Sequence, residues 1–135
     1  MKKNTFRKIS AITLVVCMLF AVCGVAFAQS RMISTTSSIF ERNTNTKGTA
    51  TLSAMTSNVN DPHIESTIIL QEAPLGSTNF VDSNVSPSVK TSYRPTITHV
   101  VSFPITTTKE YRVKMEIRDY VGDTTYLNII YEDLQ

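Results

Sequence analysis

The sequence predicts an all-β protein: a single antiparallel β-sandwich of six or seven strands, behind an N-terminal signal helix. Three observations carry that expectation. Apolar residues recur at every second position in several separate segments, most cleanly in EYRVKMEIRDY. Turn chemistry (Asp61-Pro62, APLGSTN, Val121-Gly122-Asp123) separates those segments at short intervals. Beyond residue 28 the chain is rich in Thr, Ser, Val and Ile and has no Trp, a composition suited to strands and polar turns.

The first thirty residues follow a different rule. Lys2, Lys3, Arg7 and Lys8 form a basic head, and an apolar run extends from Ala11 to about Val25. Ala26-Phe27-Ala28 then supplies a small-x-small site before Gln29. This is the three-part pattern of a secretory signal peptide over 1–28, with Ala26, Ala28 and Gln29 marking the expected cleavage. The run of roughly 15 apolar residues falls short of the ~20 that a spanning helix needs. Cys17 and Cys23 each follow a valine, a poor fit to a lipoprotein signal, where the lipid-bearing cysteine follows a small residue. Cleavage leaves 107 residues without cysteine, so no disulfide, thiol nucleophile or thiolate metal site is expected. The expected location is extracellular or at the cell wall, with membrane contact only through the signal peptide before cleavage.

Residues 29–46 are polar, with Ile33, Ile39 and Phe40 as their apolar members, and read as a polar leader or a first edge strand. The sandwich domain is expected over 47–135, a length suited to one small core. In GTATLSAMTS, Ala50, Leu52 and Ala54 share one face and Thr49, Thr51 and Ser53 the other. IESTIILQEA sets Ile64, Ile68 and Leu70 opposite Glu65, Thr67 and Gln71, with Ile69 interrupting the alternation. FVDSNVSPSVKTSYRP scatters Phe80, Val81, Val85 and Val89 among breakers; Pro87 and Pro95 confine it to short edge pieces and loops.

TITHVVSFPI puts Ile97, His99, Val101 and Phe103 on one face until Pro104 ends or kinks it. In EYRVKMEIRDY, Tyr111, Val113, Met115 and Ile117 oppose Arg112, Lys114, Glu116 and Arg118. A helix would spread those charges around its circumference, so the period of two decides for a strand. TTYLNIIYEDL alternates Tyr126, Asn128 and Ile130 with Leu127, Ile129 and Tyr131, and either set could face inward. Gly48, Gly122 and, as a third, Gly76 are the turn candidates. A small closed barrel is the alternative arrangement.

EYRVKMEIRDY resembles strand F of immunoglobulin-like and fibronectin-III-like domains. The resemblance implies that Tyr111 is a tyrosine-corner residue, its hydroxyl bonding backbone at the preceding corner, with Val113 where antibody domains place a cysteine. The core Trp and the cysteine pair of antibody domains are missing. The whole layout is similar to that of small, uncharacterised secreted proteins of Gram-positive bacteria. The matching pieces are Lys47–Ala54, Ile68–Gln71 and Tyr111–Asp123. That resemblance brings no activity with it.

Little in the chain carries reactive chemistry. Four of the 13 basic residues lie in the first 28, leaving nine against 11 acidic residues and a formal charge of −2. No basic patch argues for nucleic acid. His63 lies in a Pro turn and is expected to be solvated; His99 lies on the apolar side of a strand and is expected to pack there. Neither shows zinc-site spacing, and no nucleophile elbow or phosphate-cradling loop occurs. Asp119 and Asp123 flank a glycine turn, where a calcium site is the alternative to plain hairpin chemistry. Glu72 and Asp82 are the carboxylates considered as an acid–base pair.

The functional expectation is therefore a secreted, non-catalytic interaction module with no cofactor and no metal. Its partner would be a protein or a cell-envelope component, contacted through Tyr120, Gly122, Asp123 and Tyr126. The alternative is a small carbohydrate-active or hydrolytic module using carboxylates, with Tyr93, Tyr120, Tyr126 and Tyr131 in place of the usual Trp.

Overall fold

The two-residue period becomes two antiparallel sheets packed face to face. The computed structural model describes residues 33–135. The expected signal segment, with Cys17, Cys23, Ala26, Ala28 and Gln29, lies outside the described residues. Eight strands follow one another: β1 (Ile33–Thr44), β2 (Lys47–Thr56), β3 (Ile64–Pro74), β4 (Val81–Asp82), β5 (Ser88–Ser92), β6 (Thr96–Pro104), β7 (Lys109–Val121) and β8 (Thr124–Asp133). One sheet has the order β1-β2-β6; the other runs β4-β3-β7-β8, with β5 also pairing β3. Two separate antiparallel sheets are the arrangement of a β-sandwich.

The count exceeds six or seven for two local reasons. The polar stretch before Gly48 forms β1, because Phe40 is fully buried and anchors it against β2. The segment around Pro87 splits into two short pieces that pair β3 at different heights. The expected inward faces are realised: Ala50, Leu52 and Ala54 from β2, Ile64, Ile68 and Leu70 from β3, and Tyr111 to Ile117 in steps of two from β7 form one buried cluster. Ile69 points outward and is half-buried. In β8, the set Tyr126, Asn128 and Ile130 takes the inner side, because Tyr126 stands opposite buried Asp119.

Backbone joins the two sheets at one corner. Past β8 the Gln135 N–H donates to the Phe40 carbonyl (3.0 Å), and the Arg42 N–H donates to the Gln135 carbonyl (2.9 Å). Each sheet otherwise keeps its own ladder, which makes this a sandwich rather than a closed barrel.

Two glycines act as turn residues and one does not. Gly122 (φ +57°) is the first of two central residues between Val121 and Thr124, and Asp123 has no positive φ, which is the type II′ hairpin pattern. Gly76 also has a positive φ, +77°. Gly48, expected at a turn, lies instead inside β2 between Arg42 and Phe103. A Cβ there would sit 2.8 Å from Phe40 Cε2, so the position is glycine to admit the Phe40 ring. The β1–β2 turn is Asn45-Thr46.

Tyr111 is 5 % exposed, and its phenol oxygen accepts the Thr106 N–H at 3.2 Å, in the corner just before β7. Tyr111→Phe removes that acceptor from a part-buried donor and should lower unfolding free energy by about 1–3 kcal/mol. Gly48→Ala should cost about 1–3 kcal/mol by overpacking the Phe40 ring. Chemical denaturation of the three proteins measures both; midpoints equal to the parent's would refute these roles.

Candidate functional site

The register of the five-stranded sheet fixes what its outer face displays. Ile64 stands opposite Ser92 on one side and Asp119 on the other. One step further along β3, the same antiparallel registers bring His63 beside Tyr93 and Tyr120. The rings meet there: His63 stacks on Tyr93 at 4.8 Å between centroids and lies tilted against Tyr120 at 4.5 Å. The Tyr120 N–H donates to the His63 carbonyl at 2.9 Å, which holds the histidine against β7. Tyr93 is 73 % exposed, while His63 and Tyr120 are half-buried. The result is a three-ring row across one end of the sheet.

Below this row the face is charged. Arg118 bridges Glu65 (3.3 Å) and Glu116 (2.5 Å), and Lys114 bonds the other Glu116 oxygen at 2.7 Å. The Lys114 bond, opposed by burial and aided by both cations, holds the Glu116 carboxyl below its ordinary range. Further down, Arg112 donates to Gln71 (2.7 Å), and its guanidinium lies 4.4 Å from the Phe80 ring and 4.7 Å from the Tyr131 ring. The opposite outer face, on the three-stranded sheet, presents mostly hydroxyls, with cross-strand contacts between Thr49 and Ser102 and between Ser53 and Thr98. Alternating Ser and Thr on β2 and β6 produce it.

Two polar groups lie between the sheets. His99, 4 % exposed, reaches Ser66 through Nδ1 and Ser88 through Nε2, both at 2.9 Å. A neutral imidazole donates from one nitrogen and accepts at the other, so two rotatable hydroxyls satisfy it in either tautomer. Geometrically Ser88 and His99 resemble a nucleophile and its base. The group behind the ring is Ser66 rather than a carboxylate, however, and burial, then Lys90, lower the ring's pKa from 6.5. Such surroundings disfavour the imidazolium that a general base must become. The cluster is therefore suited to tying β6 to β3 and β5.

Asp119 continues the inward face of β7 and is fully buried. One of its oxygens accepts the Thr56 hydroxyl, and Thr56 Oγ1 in turn accepts the Asn58 N–H at 3.0 Å. This relay pins the loop before β3, the loop that carries His63. The other Asp119 oxygen has no hydrogen-bond partner.

The residues expected at the contact region do not converge. Gly122 and Asp123 form the exposed tip of the β7–β8 hairpin, but Tyr120 and Tyr126 take opposite faces of it, because their strand positions differ by an odd step across the ladder. Asp119 and Asp123 point to separate places, one inward to Thr56 and one to the exposed tip. Glu72 and Asp82 likewise fall on opposite faces of the β3–β4 pair: Glu72 bonds Lys109 at 2.7 Å, and Asp82 accepts from Gln71 at 2.7 Å. Among the described residues no group of three or more His, Cys, Asp or Glu is placed to hold a metal ion.

His63 is the functional candidate that sequence reasoning treated as solvated. The available signal was its position directly before the alternating run of β3, which extends the outer face by one residue. Ser66 was visible as the one small polar residue among the inward positions of β3. No known protein-family model matches the chain, and no curated protein matches it.

The His99 environment sets an acid dependence. The folded ring binds a proton less readily than the unfolded one, so unfolding takes up protons and stability rises with pH. The contribution is complete above about 6.5 and is lost as pH falls through the lowered folded value. His99→Gln should flatten the difference in stability between pH 7 and pH 5, measured by urea denaturation at each pH. An unchanged pH slope in that variant would exclude His99 as the source.

Proposed function

We propose that this chain is an exported, non-catalytic β-sandwich that recognises a protein or a cell-envelope component through the outer face of its five-stranded sheet. One observation carries the reading: the row Tyr93–His63–Tyr120, with Tyr93 73 % exposed at its end. Rings in mutual contact on a hydrogen-bonded sheet offer apolar area that is already ordered, so little conformational entropy is lost on contact. The charged ladder beside it, Glu65–Arg118–Glu116–Lys114, supplies fixed polar groups for orientation.

Export is supported by the signal-peptide pattern of residues 1–28. The similarity in layout to small secreted proteins of Gram-positive bacteria points to the same compartment. The contact region expected at the β7–β8 hairpin narrows, in this reading, to Tyr120 and moves across the sheet to His63 and Tyr93. A non-catalytic role is favoured by the surroundings of His99, which oppose its protonation, and by the separation of Glu72 from Asp82.

The test has two arms. Intact mass of the protein from the culture medium should begin at Gln29. Envelope fractions, glycan panels and pull-downs should then identify a ligand whose affinity drops at least about tenfold in Tyr93→Ala and in Tyr120→Ala, the scale expected of an interface anchor. Binding unchanged in both variants would reject the aromatic row. Turnover of a peptidoglycan, glycan or ester substrate, abolished by one carboxylate substitution, would reject the non-catalytic reading.

A further inference from the structure

Edge strands present unpaired N–H and C=O groups, and folded proteins ordinarily blunt them. Three of the edges here are blunted. β1 carries register irregularities at Thr35/Ser37 and at Arg42/Thr44. β4 has two residues and β5 five, with Pro87 between them. β6 ends in Pro104, and Lys90 Nζ occupies the Thr98 carbonyl at 2.6 Å. β8 carries only an inward-facing Glu132 near its end: its ten residues run in unbroken register with β7 and include no Gly, Pro, Lys or Arg. Beyond that ladder, residues 124–133 make no other backbone–backbone hydrogen bond among the described residues. Its outward side chains Leu127, Ile129 and Tyr131 are 54 %, 42 % and 51 % exposed.

We propose that β8 pairs edge to edge with β8 of a second copy of this chain, antiparallel, about a two-fold axis at Ile129. That register sets Ile129 opposite its own copy and Leu127 opposite Tyr131 in both directions, giving three apolar cross-strand pairs on one face. Charge selects the direction. The only ionic residues of β8 are Glu132 and Asp133, at its C-terminal end. Antiparallel pairing puts them opposite Tyr126 and Thr125 of the other copy, whereas a parallel pair in register would stack acid on acid. Glu132 faces inward, a position that discourages strand addition, but the Ser38 hydroxyl already engages it and it lies outside the apolar centre. The two-fold runs perpendicular to the sheet, so both aromatic rows would lie on one face of a continuous ten-stranded sheet, a bivalent surface.

Sedimentation analysis of the purified protein tests this, together with amide hydrogen exchange across a concentration series. A dimer is expected, with protection of residues 124–133 rising with concentration. Ile129→Lys should weaken the dimer at least tenfold, as a lysine does on a blunted edge, while Val100→Lys on the other sheet leaves it intact. Leu127→Lys repeats the test should Ile129→Lys fail to fold. A monomer up to about 1 mM, a dimer that survives both β8 substitutions, or protection of β8 that is independent of concentration would each overturn self-pairing. So would an edge that accepts only a peptide from another protein.

Discussion

Ile64, Ile68 and Leu70 of β3 lie between the sheets in one cluster with Leu52 of β2 and Val113, Met115 and Ile117 of β7. β3 pairs β7 on one side and β4 and β5 on the other, so its register sets both neighbours. Slipping it by one residue would bring Glu65, Thr67 and Ile69 inward and turn the apolar set to solvent. That cost fixes the whole outer face. His63 meets Tyr93 and Tyr120, and Glu65 meets Arg118, only because the buried residues beside them hold this alignment.

The polar interior adds direction to that apolar layer. His99 with Ser66 and Ser88, and Asp119 with Thr56, each bridge from one sheet to the other. Such groups contribute modest net stability, because desolvation offsets much of what hydrogen bonding returns. A sheet shifted or rotated from its place would leave the imidazole or the carboxyl buried without its partner, which costs more than the bond itself contributes. The Asp119–Thr56 contact also bears on the outer face, because it anchors the end of the loop that delivers His63 to the aromatic row.

The two outer faces differ for reasons of composition and position. On β2 and β6 the outward residues are mainly Ser and Thr, small groups that satisfy one another across strands. On β7 they are mainly long, charged and paired, along the strand and across to Glu65 of β3, and rings close the ladder at one end. Partly buried ion pairs of this kind add little net stability, because desolvation offsets much of their attraction. In the proposed function their fixed arrangement orients a partner, while the apolar stripe on β8 sits apart at the sheet's edge.

The sequence by itself determined the strands and which side of most of them is buried, because a period of two leaves only one way to hide Tyr111, Val113, Met115 and Ile117 together. It also marked Gly122 as a hairpin residue by its turn chemistry, a local matter of dihedral angle, while the corner role of Tyr111 came from the resemblance to strand F. It left β8 undecided, since Tyr126, Asn128 and Ile130 are no more apolar than Leu127, Ile129 and Tyr131; pairing of Tyr126 with buried Asp119 decided it. It placed Gly48 in a turn, although the constraint is the Phe40 ring arriving from the neighbouring strand. Only the tertiary structure brought His63, Tyr93 and Tyr120 together, from the loop before β3, the turn after β5 and the end of β7. Their meeting depends on cross-strand register over long separations, and no local pattern in the chain encodes that register.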